Sequence, residues 1–225
     1  RDLVRSRGLG DVYKRQTVDT PVYFPVRCGA VYDEEGNSEI QGDDTGDNIS
    51  KLRMSFCEFT VQYWAWKNVD ADYYGLCHYR RYLSFSDKRY KNTAFNMVRE
   101  LRLTAHEKKK YHLDDTKKIN IVVQKYDMII PELAKASEMS YNRAEVKTLR
   151  EMWESYNGVY FEQGIIDKMF SLIKEYSPEY YNSACEYFSG KYHRAFNCYI
   201  MKKELFVRMC EFQFCLLYTS PSPRD

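Results

Sequence analysis

The chain has 225 residues, and its 34 basic and 32 acidic side chains give a formal net charge of +2. That length is enough for one domain with a sizeable hydrophobic core. No apolar run approaches the roughly 20 residues that cross a bilayer as a helix, so we expect no transmembrane segment within it.

The two ends have the pattern of translated sequencing adapters. Ser6–Gln16 and Cys215–Asp225 can be encoded by one inverted repeat, read on opposite strands and one base apart. We therefore expect 1–16 and 215–225 to be adapter-derived and 17–214 to be a fragment of one domain. Residues 1–16 carry five basic and two acidic residues, and 215–225 carry one of each. The remaining 28 basic and 29 acidic residues give a charge of −1, which argues against a nucleic-acid partner.

Six scattered cysteines remain in 17–214, and none forms a C-x-x-C pair. This usage is typical of reduced core cysteines in a cytoplasmic protein and does not favour a structural zinc site.

Short apolar strands alternate with helical patterns along the chain, which favours an α/β sheet. A helix over Leu52–Lys67 is indicated by Phe56, Phe59, Tyr63 and Trp66 at three- and four-residue spacing. The strands are expected at Tyr73–Cys77, Tyr126–Ile130 and Phe196–Met201, and a short extended piece is expected around Pro21–Val26. The later helices are expected from Asp114 or Asp115 to Gln124 or Lys125, and at Met139–Tyr156, Phe161–Tyr176, Pro178–Phe188 and Lys203–Phe214. The polar, basic segment Ser86–Thr116 is predicted to be a solvent-exposed loop.

The strand Tyr73–Cys77 is followed at once by the polar segment His78–Tyr82. Ligands of open α/β sheets bind at the carboxyl ends of strands. Guanidinium forks match phosphate geometry, so Arg80 and Arg81 point to an anionic ligand. A structural alternative stays open, in which one arginine pairs with a loop carboxylate and the histidine is a satisfied core residue.

Two acidic segments are candidate cation sites. The Asp43–Asn48 loop has three carboxylates around a glycine, but its spacing does not fit an EF-hand, and an acidic surface loop with a helix cap is the alternative. The pair Asp70 and Asp72 precedes its strand, which favours a turn at the amino end over a metal site.

Asn197 enters the last predicted strand, where its amide is able to bond either a sugar hydroxyl or the nearby backbone. The chain has no Gly-rich phosphate loop, no G-x-S-x-G and no H-E-x-x-H. Kinase, dinucleotide-dependent dehydrogenase, serine hydrolase and zincin interpretations therefore lack motif support.

The ordered blocks together resemble a bacterial family filed as a domain of unknown function and found in capsular and exopolysaccharide glycosyltransferases. The most specific block is Gly-Leu-Cys-His-Tyr-Arg-Arg-Tyr, residues 75–82. The other blocks are Asp43–Ser50, Cys57–Asn68, Tyr126–Pro131 and Asn197–Phe206. The resemblance implies a GT-A-like α/β fold and a nucleotide-sugar-dependent glycosyltransferase. Such an enzyme would be cytoplasmic, either in solution or at the inner face of the membrane. Its partners would be a nucleotide-sugar donor and a lipid-linked or oligosaccharide acceptor.

On the hypothesis of a glycosyltransferase, individual residues take the following roles. The donor would be bound by Arg80, Arg81, Tyr79, Asn48 and Asn197. His78 would position donor or acceptor, and Asp44 or Asp47 would contact the sugar or act as base. Glu58 and Trp64 would not contact the substrate but would hold these groups in position, and Glu58 would orient one of the arginines. Mg²⁺ or Mn²⁺ often accompanies the donor in such folds, but His78–Arg81 occupies the usual Asp-x-Asp position, so a metal requirement stays open.

Two alternatives come from other functional classes. One is a non-catalytic glycan- or nucleotide-binding module of a polysaccharide-assembly protein, with the same pocket and no turnover. The other is a single-stranded RNA binder that uses Tyr79, Tyr82 and the arginines, against which the charge of −1 argues.

Overall fold

The computed structural model describes Leu3–Arg7 and residues 20–33, 40–78, 80–90 and 94–219. Its strands are β1 (Leu3–Arg7), β2 (Tyr23–Arg27), β3 (Gln41–Gly42), β4 (Tyr73–His78), β5 (Met128–Ile129), β6 (Leu133–Lys135), β7 (Tyr192–Arg194) and β8 (Tyr199–Lys202). Its helices are α1 (Arg53–Phe56), α2 (Phe59–Asn68), α3 (Ala105–Lys110), α4 (Thr116–Val123), α5 (Leu149–Glu154), α6 (Ile165–Tyr176), α7 (Tyr181–Ser189) and α8 (Lys203–Thr219).

Six of these strands form one mixed sheet in the order β3-β2-β1-β4-β8-β5. Strands β1 to β4 run parallel, while β8 is antiparallel to both β4 and β5. The polar groups that follow β2, β3 and β4 therefore share one edge of the sheet. The antiparallel β8 starts at that same edge, since Tyr199 pairs with Leu76 near the end of β4.

The backbone of β1 lies between β2 and β4 in this sheet. It falls in the segment 1–16 for which the sequence predicts an adapter origin, and that origin stays a prediction. The rest of 1–16 lies outside the described residues.

The chain divides into two compact units. Unit 1 comprises 1–89, 100–131 and 197–210, and contains the six-stranded sheet. Unit 2 comprises 90–99, 132–196 and 211–225, and contains the β6–β7 ladder with α5, α6 and α7.

The core of unit 1 is built on β4 and the start of α8. The rings of Tyr74 and Phe206 stack with centroids 4.2 Å apart. Val26, Val61 and Cys210 are fully buried. Burying such apolar surface is the main favourable contribution to folding, so these contacts fix the sheet against its helices.

The acidic pair before β4 occupies its amino end. The Lys203 backbone N–H donates to the Asp72 carbonyl, and the Lys203 ammonium pairs with Asp70 at 2.6 Å. These contacts fasten α8 to the start of β4, at the end opposite the candidate ligand edge.

Several predicted helices are shorter than their periodic patterns. The Leu52–Lys67 helix breaks at Cys57, whose φ of 47° lies in the left-handed region. Its buried face is formed by Thr60, Val61, Gln62, Trp64 and Ala65, so the predicted aromatic stripe is only half-buried. In the predicted helix Met139–Tyr156, only α5 is α-helical, and Asn142 has a positive φ.

The other differences concern ends and short elements. The second predicted strand, Tyr126–Ile130, is only the two-residue β5, and the predicted Phe196–Met201 strand starts at Tyr199. The Ser86–Thr116 segment, predicted as a solvated loop, includes α3. This helix begins with a capping box between Thr104 and Glu107.

Candidate functional site

The buried carboxylate of Asp43 organises the carboxyl edge of the sheet. It is 0% exposed and accepts from the backbone N–H groups of Gly29 and Ala30, each at 2.9 Å. It also accepts from the hydroxyls of Ser50 at 2.6 Å and Thr60 at 2.5 Å. We call these five residues the Asp43 cluster. It joins the turn after β2, the loop after β3 and the first turn of α2.

Gly29 is needed in this cluster for two reasons. Its φ of +67° lies in the left-handed region, where glycine has no steric penalty. A Cβ placed there would stand 1.9 Å from the Arg53 side chain.

The acidic loop is attached to α2 by its own polar groups. The Asn68 side chain accepts from the Asp47 N–H at 3.0 Å and donates to the Asp47 carbonyl at 2.7 Å. The Trp64 indole N–H donates to Thr45 Oγ1 at 3.0 Å. Trp64 is 5% exposed and stacks on Phe24, so this anchor is rigid. Trp64 therefore supports the loop from the core side.

The other predicted residues of the loop have different surroundings. Asp44 is exposed. Asp47 is also exposed, and its carboxylate accepts from the Tyr63 hydroxyl at 3.2 Å. The Asn48 side chain makes two local hydrogen bonds. Its amide nitrogen donates to the Gly46 carbonyl, and its amide oxygen accepts from the Ser50 N–H. Asp44 and Asp47 are both exposed, whereas Asn48 is half-buried.

His78 ends β4 in a half-buried position. Burial and the positive charges of Arg81 and Arg80 lower its pKa to about 4, against an opposing effect of Glu58. The imidazole is therefore neutral at pH 7. Its Nδ1 lies 3.4 Å from the Arg80 backbone N–H, which donates to it, so the remaining proton is placed on Nε2. A neutral histidine here is a hydrogen-bond donor and not a cation.

Arg80 and Arg81 follow His78 on an exposed turn, in which the Arg81 N–H donates to the His78 carbonyl at 2.9 Å. The effects of Arg80, Arg81 and Glu58 on the pKa of His78 place all four in one neighbourhood. Tyr79 lies outside the described residues. The edge thus combines two cations, one neutral imidazole and one carboxylate.

Asn197 reaches the same edge from the antiparallel side. Continuing the β4–β8 register by two residues from Leu76 and Tyr199 sets Asn197 across from His78. The Asn197 amide nitrogen is buried and has no hydrogen-bond partner. Phe196 immediately before it has a φ of 71°, a strained conformation for an aromatic residue. An unsatisfied buried donor beside a strained residue is typical of a ligand-binding position.

The structure thus brings together His78, Arg80, Arg81, Glu58 and Asn197. Asp47 and Asn48 lie in the anchored acidic loop, and Trp64 of α2 supports that loop through Thr45. Within the described residues, no group of three or more His, Cys, Asp or Glu side chains is arranged to hold a metal ion.

The sequence interpretation did not assign the central role to Asp43. It treated Asp43 only as one carboxylate of the acidic loop, because the partners Gly29, Ala30 and Thr60 are distant along the chain. No local sequence signal marks Asp43, because its contacts are made only in the folded chain.

The comparisons with known proteins agree with this architecture. The model of a family described as "Domain of unknown function (DUF4422)" matches residues 12–222. No curated protein matches the chain. Among solved structures, the chain is similar to "WbbM bifunctional glycosytransferase apo structure", with a TM-score of 0.79 and 25% identity. The match covers 96% of this chain and 36% of that one, so this chain spans about a third of that protein's length. This likeness confirms the predicted GT-A-like α/β fold class.

We predict that Asp43→Ala lowers the free energy of unfolding by at least about 3 kcal/mol, because it leaves four donors without their acceptor. The measurement is urea unfolding followed by circular dichroism. The adjacent, exposed Asp44→Ala is the matched control and should change stability by less than about 0.5 kcal/mol. Equal small effects of the two variants would contradict a stabilising role of the Asp43 cluster.

We predict that the His78 imidazole titrates with a pKa of about 4, measured by NMR of its ring protons. Arg81→Ala should raise this pKa by removing a nearby cation, and Glu58→Gln should lower it by removing an anion. Because the unfolded chain binds this proton first, His78 should make unfolding easier as the pH falls from about 6.5 to about 4. A pKa near 6.5 in the folded protein would contradict the described surroundings.

Proposed function

Because the chain belongs to the family described as Domain of unknown function (DUF4422), we propose that it is a glycosyltransferase domain. It would move a sugar from a nucleotide-sugar donor to a growing capsular, exopolysaccharide or O-antigen-type glycan. The similar solved structure is described as a bifunctional glycosyltransferase, which supports the class of reaction. The carrying observation is the convergence of Arg80, Arg81, His78 and Asn197 at the carboxyl edge.

The two arginines would bind the donor diphosphate. They follow a strand of the parallel part of the sheet, where ligands of such folds bind. Negative charge develops on the diphosphate as it leaves, and fixed cations stabilise that charge better in the transition state than in the ground state. In this role the arginines lower the barrier in addition to binding the donor.

His78 and Asn197 would orient the donor or the acceptor. A neutral His78 beside two cations donates a hydrogen bond through Nε2 without adding a third positive charge. The unpartnered amide nitrogen of Asn197 offers a second donor at the same edge. Two fixed donors suit the hydroxyls of a sugar.

Asp44 is the stronger of the two proposed bases. It is exposed, whereas the carboxylate of Asp47 already accepts from Tyr63. A carboxylate serves as base when it lies within hydrogen-bond reach of the acceptor hydroxyl. Tyr79, Asn48 and Glu58 remain proposed contributors to donor binding and to the orientation of the arginines.

The proposal leaves open whether the reaction requires a divalent cation. Mg²⁺ or Mn²⁺ would neutralise the diphosphate in addition to the arginines, and the diphosphate oxygens would supply most of its ligands, because the described residues present no group of three or more candidate ligands. The arginines bring fixed positive charge to the same edge, which supports donor binding with a reduced demand for metal.

The proposed acceptor is a lipid-linked glycan or an oligosaccharide, and the proposed location is the cytoplasm, either in solution or at the inner face of the membrane. None of the helices in the described part of the chain has the length and apolarity needed to cross a bilayer.

We predict that a panel of nucleotide sugars, each tested with and without Mn²⁺, will include one that raises the melting temperature of the protein. Arg80→Ala should remove this shift and reduce sugar transfer at least about 100-fold, because one charge-assisted contact to the leaving group is lost. Arg102→Ala, which replaces an exposed arginine in the segment before α3, is the matched control and should keep both the shift and the transfer.

Full sugar transfer by Arg80→Ala would contradict the role of that residue. Binding of a nucleotide sugar with neither transfer nor hydrolysis would instead identify a non-catalytic glycan- or nucleotide-binding module. The absence of any stabilising nucleotide sugar would contradict the proposal as a whole.

A further inference from the structure

Unit 2 contains an apolar cleft of about 600 Å³ that the proposed transfer reaction does not use. Its walls come from α5, α6, α7 and β7, with Trp153, Ile166, Met169 and Leu172 among the lining side chains. Small-molecule sites are typically apolar clefts of about 300–1,000 Å³ with a few polar groups. The cleft has that size and composition.

The cleft also contains a polar group without a partner. His193 lines it, is 4% exposed, and has a buried Nε2 atom with no hydrogen-bond partner. Its backbone pairs with Ala134 in the β6–β7 ladder, so the ring is held on a rigid element. Burying such an atom unpaired costs roughly 1–3 kcal/mol, so the position is favoured by a ligand that supplies the bond.

The charges of the lining have one sign. Lys168 and Arg194 are lining residues with exposed side chains, and no aspartate or glutamate belongs to the lining. The backbone N–H of Arg194 donates to the Tyr187 hydroxyl at 3.0 Å, which fixes β7 against α7. An apolar interior with basic residues at solvent is complementary to a chain that ends in an anion.

Two further lining residues, Leu216 and Leu217, lie in the segment for which the sequence predicts an adapter origin. The remaining lining residues fall between Leu149 and Arg194, so the cleft's polar group and both of its cations are independent of that segment.

We propose that this cleft is a binding site for an amphiphile with a single apolar chain and an anionic phosphate or carboxylate head. The chain lies along Met169, Leu172 and Ile166, and the head bonds His193 Nε2, with the exposed Lys168 of the lining as its counter-charge. The neutral form of the imidazole, favoured by the burial that lowers its pKa, acts as a donor to the head in its Nε2–H tautomer. This site is separate from the proposed transfer site in unit 1 and does not depend on that function.

Isothermal titration calorimetry of the full chain below the micelle concentration tests this proposal. Dodecyl phosphate and dodecanoate compare a phosphate head with a carboxylate head. Dodecanol measures the contribution of the apolar chain without an anionic head, and inorganic phosphate measures that of the head without a chain. We expect saturable binding of at least one dodecyl anion, and roughly 100-fold weaker binding of its octyl analogue because four methylenes leave the cleft. No saturable binding of either dodecyl anion, or equal binding of inorganic phosphate, would overturn the proposal.

Two variants separate a specific site from non-specific adsorption. Leu172→Trp fills the cleft and should weaken dodecyl anion binding at least about tenfold, whereas Leu101→Trp, at a fully exposed position, should not. Equal affinity of both variants would contradict binding in the cleft.

Lys168→Gln tests the head group without changing the core. It should reduce the preference for the dodecyl anion over dodecanol, while Lys174→Gln on the same helix, outside the lining, should preserve it. An identical preference in the two variants would contradict the predicted position of the head. Because the readout is amphiphile binding, failure of this proposal leaves the nucleotide-sugar test of unit 1 unaffected.

Discussion

The carboxyl edge of unit 1 depends on one buried anion. A carboxylate without exposure to water is costly unless hydrogen bonds replace its hydration. Asp43 meets this requirement with two backbone N–H groups and two hydroxyls. Those partners come from three separate segments, so the bonds that satisfy the charge also set the relative positions of the β2 turn, the acidic loop and α2.

The chemistry of the edge follows from charges held close together. Burial lowers the pKa of His78 most, Arg81 and Arg80 lower it further, and Glu58 opposes them. The result is a neutral donor between cations, an arrangement that favours an anionic ligand with hydroxyl groups. In the anchored acidic loop, Trp64 holds the Thr45 side chain and Asn68 holds the Asp47 backbone, while Asp44 is exposed to solvent.

The helical patterns show where local sequence signals are overruled. Phe56, Phe59, Tyr63 and Trp66 have ideal spacing, yet the helix breaks at Cys57 and turns another face inward. The reason is the hydrogen bond from Thr60 to Asp43, which requires the first turn of α2 to face the cluster. A polar contact with a distant residue therefore decides the register that apolar periodicity alone predicts differently.

The sequence by itself determined the α/β class, the β4 strand and the polar burst of His78 to Arg81, because these depend on short-range patterns. It also indicated that Asn197 enters a strand. Only the tertiary structure decided that β8 pairs antiparallel with β4, which brings Asn197 to the edge where β4 ends, since strand order and pairing arise from long-range contacts. The role of Asp43 and the cleft around His193 were equally inaccessible, because burial and the absence of a partner are properties of packed neighbours and not of any local run of residues.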